Sequence, residues 1–296
     1  MSKIVYWSPL HGQCQTSNLH ITGIIMSLFY KKRILMMQTQ FSMNNLESPL
    51  IGRRADISNK DVGGFFQEIG LDAAVMYSRM NMLNGDTLER CCITFPGSSL
   101  LLLPGTETKN WETFKRDTLS SVCHMINQAE NLVDLVMIDA NSGNDELSFR
   151  LMSSADLIIV NLTQHRYVLN KFFAEYGEKL AKRENVFYLL GKYDKNSGYN
   201  IANCRRKYRK YIRKNNSGVI PYCTKYMDAL NECNILRMVE EGLHINKRLL
   251  NGILKFNINS KEETGYFFSQ SHGSTAKILN RLSLVEGRTF ARRSGA

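Results

Sequence analysis

Short apolar runs alternate with amphipathic stretches along most of the chain, and this alternation constrains the fold more than any other feature. The runs have the length and composition of buried strands, and they lie at residues 4–7, 34–37, 100–103, 135–138, 157–160, 186–190 and 218–220. Helical patterns follow at residues 16–30, 61–69, 111–129, 146–152 and 168–182. Strands that alternate with helices build a parallel sheet with helices on both faces. The sequence therefore predicts an α/β fold with a mostly parallel, twisted sheet.

The domain organisation is predicted from the absence of interruptions. We find no internal repeat, low-complexity tract or linker among the 296 residues, and a hydrophobic content of 43% is enough for one large core. We predict one domain over residues 1–287 and a loose C-terminal tail over residues 288–296. The longest apolar run is too short to span a bilayer, and no signal-peptide pattern precedes the first strand. We expect a cytoplasmic protein and leave open a peripheral contact with membrane or nucleoid.

Cysteine and histidine usage bears on the metal and redox chemistry. The seven cysteines include no CxxC pair, and the six histidines are scattered along the chain. This usage indicates free thiols in a reducing compartment rather than a disulfide framework or a zinc site. We therefore expect no metal held by protein ligands alone.

Basic residues are concentrated in one segment of a chain whose net charge is +11. Seven of the ten residues 205–214 are basic: Arg205, Arg206, Lys207, Arg209, Lys210, Arg213 and Lys214. We call these seven residues the basic cluster. Apolar and aromatic residues recur at helical spacing through residues 201–212, so the cluster is predicted to cover the outer face of a helix. A contact with DNA phosphates or anionic lipid, and a merely solvated helix face, both remain open.

The loop after the first predicted strand carries the strongest functional signal. It reads S-P-L-H-G-Q-C-Q-T-S over residues 8–17. A strand–loop–helix unit at this place can present backbone N–H groups and the positive end of a helix dipole to phosphate. The loop resembles the deviant Walker A motif of the MinD/ParA family of P-loop ATPases, K-G-G-x-G-K-[ST]-[ST]. Gly12, Thr16 and Ser17 match that pattern.

The departures from the motif bear on catalysis. Leu10 and Gln15 stand where the family has its two lysines, and His11 and Cys14 replace two of its glycines. Phosphoryl transfer needs charge stabilised by lysine and Mg²⁺, and the loss of one such donor costs about 10²–10³ in rate. We therefore expect any hydrolysis to be slow. Two alternatives remain open: the loop binds nucleotide weakly, or it only turns the chain and binds no nucleotide.

Five further segments resemble family landmarks in the family's order, at residues 38–52, 102–105, 133–139, 154–160 and 220–222. The first keeps the frame of an Asp-x-Asp segment but has Gln38 and Gln40 at the acid positions. The segment at 133–139 resembles the Walker B strand and keeps its terminal acid, Asp139. The resemblance covers residues 1–240 and implies a single P-loop NTPase-like domain.

The resemblance also implies a ligand and its contacts. The ligand would be ATP or ADP with Mg²⁺. Nucleotide contacts would come from Gly12, Gln13, Cys14, Gln15, Thr16, Ser17, Pro221 and Tyr222, the last two beside the adenine base. Mg²⁺ would be held with the nucleotide by Thr16 and Asp139.

Three functions remain open at this stage. The combination of an altered Walker A loop with otherwise matching family landmarks is most similar to the TadZ-type proteins of pilus-assembly loci. That resemblance implies a localisation or assembly scaffold, a homodimer, and protein partners in a pilus or secretion machine. The second function is an active partitioning or positioning ATPase of the ParA/MinD type, in which Gln15 with Arg53 or Arg54 replaces the lysines. The third is a structural protein that binds DNA or membrane without nucleotide.

Residues 275–285 place Ile278, Leu279, Leu282 and Val285 on one helical face. MinD ends in an amphipathic membrane-targeting helix, so the resemblance makes such a helix one interpretation. The other interpretation, which we favour, is a final helix that docks on the core.

Overall fold

The apolar runs form the strands of one sheet. The computed structural model describes residues 2–39, 46–52, 69–106, 111–250 and 261–294. The strands are β1 (Ser2–Trp7), β2 (Ile34–Gln38), β3 (Ile93–Thr94), β4 (Leu100–Leu103), β5 (Leu135–Asp139), β6 (Leu157–Leu162), β7 (Val186–Tyr193) and β8 (Ser217–Pro221). All seven predicted strand segments lie within these strands. The short β3 was not predicted, because two residues carry no periodicity.

The sheet has eight strands in the order β3-β4-β2-β5-β1-β6-β7-β8. All neighbours pair in parallel except β3, which runs antiparallel to β4. The sheet is therefore mostly parallel, as predicted. In a parallel sheet the carboxyl ends of the strands share one edge, and ligands bind at that edge near the point where strand order reverses. Here that point is β1, which lies between β5 and β6.

Twelve α-helices lie in the described part of the chain. They are α1 (Gln15–Leu28), α2 (Ser48–Ile51), α3 (Leu71–Arg79), α4 (Gly85–Cys91), α5 (Trp111–Ala129), α6 (Glu146–Ser154), α7 (Arg166–Glu175), α8 (Gly177–Ala181), α9 (Ile201–Lys207), α10 (Thr224–Asn231), α11 (Ile235–Leu250) and α12 (Lys261–Ser294). The helix predicted over 168–182 is divided at Tyr176 into α7 and α8. Most of the helix predicted over 61–69 lies outside the described residues.

The alternation of side chains along the strands separates two hydrophobic layers. In β1, Ile4 and Tyr6 face a layer that includes α1, α10, α11 and α12. Val5 and Trp7 face the opposite layer, which includes α3 to α9. Both faces of the sheet are thus covered, which explains why the strands are buried along nearly their whole length. The chain is a single α/β domain.

The C-terminal helix α12 docks on the core. Ile278 and Leu282 are buried against the first layer, and Leu279 packs at its margin. The interpretation that this helical face docks on the core is therefore confirmed. The backbone of α12 remains helical to Ser294, so residues 288–294, predicted as a loose tail, are helical. None of the helices in the described ranges is long and apolar enough to cross a bilayer.

The helix predicted through the basic cluster is wrong in extent. The helix α9 ends at Lys207, and the backbone turns at Tyr208 before a short 3₁₀ helix over Lys214–Asn216. The aromatic stripe still faces the core, because Tyr208 and Tyr211 stack on Phe173 at centroid distances of 4.5 and 5.1 Å. Like charges three and four residues apart oppose helix formation, and the chain must return to the first residue of β8.

Candidate nucleotide-binding site

The loop between β1 and α1 has the backbone of a phosphate-binding turn. Gly12 and Cys14 both adopt left-handed conformations, with φ of 79° and 60°. Glycine does so without steric cost, whereas a cysteine there is strained. The hydroxyl groups of Ser8 and Ser142 lie 2.9 Å apart, and the Gly143 N–H donates to the Ser8 carbonyl at 2.9 Å. The loop is therefore fastened to the segment that follows β5.

Backbone N–H groups in this loop are available to a ligand. The first helical hydrogen bond of α1 is donated by the Asn18 N–H to the Cys14 carbonyl at 2.8 Å. Residues 11–12 form a turn, and the N–H groups in the first turn of α1 have no intrahelical acceptor. Free N–H groups at the start of a helix, together with the helix dipole, favour an anion at this place.

The side chain at the lysine position turns inward. The Gln15 Nε2 donates to the Asp139 Oδ1 at 2.7 Å and also to the carbonyl of Ala140. Gln15 is only 8% exposed, and among the described residues its Oε1 atom has no hydrogen-bond partner. A lysine at this position would place a positive charge beside phosphate, whereas the amide of Gln15 forms hydrogen bonds within the protein.

Asp139 lies at the end of β5 with both carboxylate oxygens engaged. The Thr16 hydroxyl donates to its Oδ2 at 2.6 Å, while Gln15 donates to Oδ1. Burial raises the pKa of Asp139 to about 6, and the hydrogen bonds from Thr16 and Gln15 lower it in part. A buried carboxyl that lacks a cationic neighbour favours its neutral form.

The fit to a magnesium ion is partial. The Thr16 hydroxyl keeps its lone pairs when it donates to Asp139, so Thr16 fits the predicted role. Asp139 fits less well, because the amide of Gln15 already occupies its second oxygen. A Mg²⁺ ion bound with a nucleotide would neutralise phosphate charge. Over the described ranges, no group of three or more His, Cys, Asp or Glu side chains could hold a metal by itself.

Cys14 is accommodated by a glycine on a distant strand. A Cβ atom on Gly191 of β7 would lie 2.5 Å from the Cβ of Cys14 and 3.1 Å from the amide atoms of Asn18. The cysteine side chain therefore fits only because residue 191 has none.

Two further polar contacts connect the loop and α1 to β6 and to Thr163, the residue that follows it. The Gln13 Oε1 accepts from the backbone N–H and the hydroxyl of Thr163 at 3.0 and 2.8 Å. The Asn18 Nδ2 donates to the Asn161 Oδ1 at 2.9 Å. The side chain of Gln13 is thus engaged within the protein.

A cleft of about 670 Å³ opens at the carboxyl ends of β7 and β8. It contains the predicted base-contacting residues, and its lining consists of Lys192, Tyr193, Asp194, Lys195, Asn196, Pro221, Tyr222, Glu263 and Tyr266. The side chain of Tyr222 is 47% exposed, and the Lys195 amine lies 5.2 Å from the ring centre of Tyr266. The structure therefore brings Pro221 and Tyr222 together with aromatic and cationic groups that sequence reasoning missed.

The basic cluster lies away from this cleft. Its Arg205 Nε donates to the hydroxyl of Ser217 at 3.0 Å, which places it at the amino end of β8 and the opposite edge of the sheet. Lys210 pairs with Glu178. All members except Arg205 are exposed. The predicted contact with DNA or lipid stays a prediction, and Gln40, Arg53 and Arg54 lie outside the described residues.

No protein-family model and no curated protein matches this sequence. Solved structures match its fold. A ParA family ATPase from Chlorobium tepidum TLS has a TM-score of 0.62 at 17% identity, over 80% of this chain and 92% of that one. The MinC:MinD cell division complex of Aquifex aeolicus gives 0.62 at 14% identity, over 95% and 96% of the two chains.

A third match adds a bound ligand. The septum site-determining protein MinD of Pyrococcus horikoshii OT3, complexed with Mg-ADP, has a TM-score of 0.60 at 14% identity, over 94% of this chain and 96% of that one. At such identities the likeness shows the fold. The protein has the fold of the MinD/ParA P-loop NTPases.

Proposed function

We propose that this protein is a nucleotide-binding scaffold of the MinD/ParA type, which holds ATP or ADP weakly and hydrolyses ATP slowly or not at all. The observation that carries the proposal is the position of Gln15. Its amide is hydrogen-bonded to Asp139 and Ala140, beside a helix start whose first N–H groups have no intrahelical acceptor. The means of binding phosphate is thus retained, while the charge that would accelerate its transfer is absent.

Two observations support nucleotide binding. Free N–H groups at the start of α1 favour phosphate oxygens. The cleft beside Pro221 and Tyr222 offers an exposed aromatic ring at the carboxyl edge of the sheet, where ligands of this fold class bind. A base in the cleft and phosphates at the loop would use both features in one ligand.

Slow hydrolysis follows from the charges that are missing. Each absent electrostatic donor costs about 10²–10³ in rate, and both lysine positions are occupied by uncharged residues, Leu10 and Gln15. The amide of Gln15 is also turned away from the loop surface. Nucleotide would therefore act as a bound ligand that orders the site rather than as a substrate.

The partners are proposed on the same basis. We propose a homodimer that recruits protein components of a localisation, secretion or pilus machine, as in TadZ-type proteins. Leu10 is 43% exposed on the loop, so a dimer would have an apolar contact where a lysine would otherwise meet the partner's nucleotide. Size exclusion with light scattering, with and without ATP, tests this: we expect dimer in both samples, and a strictly ATP-dependent dimer would contradict the proposal.

The experiment for nucleotide binding compares Gln15→Lys with the natural chain. A fluorescent ATP analogue is titrated in the presence of Mg²⁺, and phosphate release is followed in parallel. We expect weak saturable binding by the natural chain, tighter binding by Gln15→Lys, and little phosphate release by the natural chain. The control is Asn231→Lys, which adds the same charge at an exposed position at the end of α10. Rapid Mg²⁺-dependent phosphate release by the natural chain would favour an active ATPase instead.

A second candidate function is contact with an anionic surface through the basic cluster. The observation that favours it is the exposure of six of the seven basic side chains, all except Arg205. We expect salt-sensitive binding to DNA or to anionic vesicles that is weakened by the triple change Arg209→Gln, Arg213→Gln and Lys214→Gln. Binding that this triple change leaves intact would remove the candidate.

A further inference from the structure

The loss of both loop lysines leaves a bound polyphosphate without a cation from the loop. Leu10 is uncharged, and the amide of Gln15 is buried against Asp139. Phosphate groups of a nucleotide are nevertheless best held by a positive charge as well as by N–H groups. Such a charge would have to come from a cation outside the sequence motif, on an element beside the loop.

Lys192 is presented by an irregularity in β7. The strand is buried from Val186 to Gly191, becomes exposed at Lys192, and is buried again at Tyr193. Its pairing with β8 shifts register between Leu190 and Tyr193. At Lys192 the backbone has φ of 46°, a left-handed conformation that a lysine rarely adopts. Strain of this kind persists where the surrounding structure requires it, often at functional sites.

The irregularity lies against the phosphate loop. Gly191, the preceding residue, contacts Cys14 so closely that a Cβ atom on it would lie 2.5 Å from the Cβ of Cys14. The positive charge of Lys192 also reaches the Cys14 thiol, whose pKa is raised by burial and lowered in part by Lys192. Lys192 therefore follows directly after the point at which β7 meets the loop.

Lys192 is also the cation with the fewest competing contacts in the cleft. The other lysine of the lining, Lys195, lies over the ring of Tyr266. Among the described residues, no carboxylate lies within ion-pair distance of the Lys192 amine. Lys192 therefore places an exposed ammonium group in an aromatic cleft, directly after the strand residue that contacts the loop, and this charge complements that of a nucleoside polyphosphate.

We propose that Lys192 replaces the lost loop lysines as the cation that binds the phosphates of a nucleoside di- or triphosphate. The inference rests on the proposed nucleotide-binding function and adds its phosphate-specific residue. The ammonium group donates hydrogen bonds to phosphate oxygens from the β7 side, while the loop N–H groups act from the other. No covalent bond is made or broken.

The test measures the affinities of ATP, ADP and adenosine for the full-length chain and for Lys192→Gln, Lys192→Arg and Lys225→Gln by calorimetry. Lys225 is an exposed lysine that does not line the cleft, so its change controls for net charge. We expect Lys192→Gln to lose about tenfold in affinity for ATP and ADP, the effect of one hydrogen bond to a charged group. Adenosine binding should be unchanged, and Lys192→Arg should retain most of the ATP affinity.

The outcomes separate this inference from the proposed function. If the natural chain binds ATP and Lys192→Gln binds it equally well, the role of Lys192 is refuted while nucleotide binding stands. An equal loss in Lys225→Gln would assign the effect to net charge and also refute it. No binding by the natural chain would overturn both. Thermal unfolding of each variant verifies that the exposed substitution leaves the fold intact.

Discussion

The contact between Cys14 and Gly191 gives a prediction whose size follows from the structure. In Gly191→Ala the new Cβ would lie 2.5 Å from the Cβ of Cys14, whereas carbon atoms in contact are about 3.5–4.0 Å apart. An overlap of about 1 Å between two atoms attached directly to the backbone cannot be relieved by a side-chain rotation. Overpacking of this kind costs about 1–3 kcal/mol, so we expect the free energy of unfolding to fall by that amount.

The same geometry predicts that Cys14→Gly rescues Gly191→Ala. Glycine at residue 14 removes the clashing atom, and it relieves the left-handed strain of about 1 kcal/mol at φ of 60°. Its greater freedom in the unfolded chain offsets part of that gain. The tight approach to Asn18 at 3.1 Å remains, so some cost persists. In the Cys14→Gly background, Gly191→Ala should cost less than about 1 kcal/mol, which gives a coupling energy of about 1–2 kcal/mol.

Urea unfolding of the four proteins in this cycle measures the coupling, provided that the dependence on urea stays constant. The matched control is Gly198→Ala, because a Cβ atom there would have no heavy atom within 4 Å. That change should alter the free energy of unfolding by less than about 0.5 kcal/mol. Additive costs for Gly191→Ala and Cys14→Gly would refute the argument that the small residue on β7 accommodates the cysteine in the loop.

Three further predictions concern pH, the C-terminal helix and the cleft. Burial raises the pKa of Asp139 to about 6, so Asp139 contributes stability at low pH that is lost as pH rises from about 4 to 6. Burial lowers the pKa of His20 to about 4, so the stability that His20 contributes is lost as pH falls through the same window. These slopes oppose, so Asp139→Asn should expose a steeper loss of stability below pH 6 in urea unfolding, and an unchanged pH profile would contradict the assignment. Phe268→Ala should lower the free energy of unfolding by about 3–5 kcal/mol, because Phe268 is only 1% exposed. Leu284→Ala, at a position that is 55% exposed, should be nearly neutral in thermal unfolding. Equal effects of the two changes would show that α12 is not docked as described. Tyr222→Ala should weaken adenosine binding about tenfold in calorimetry, the size of one lost stacking contact, and undiminished binding would exclude this ring from the base site.

Local sequence patterns were sufficient for the order of elements and for the place of the loop. A buried strand is recognised by a short apolar run, and each of the seven predicted runs became a strand. Asp139 at the end of its strand and Gly12 in the turn were also evident, because both depend on neighbours along the chain. The predicted helix through the basic cluster failed at Lys207, because like charges three and four residues apart oppose helix formation.

Other features of the candidate site depend on contacts that no local pattern contains. Gln15 meets Asp139 across 124 residues of sequence, and only this contact shows that the residue at the lysine position turns inward. The fit of Cys14 depends on Gly191, and the exposure of Lys192 depends on a register shift between β7 and β8. The sequence by itself determined an α/β chain with an altered phosphate loop. The tertiary structure alone decided which side chains surround that loop, because the parallel sheet brings the ends of distant strands to one edge.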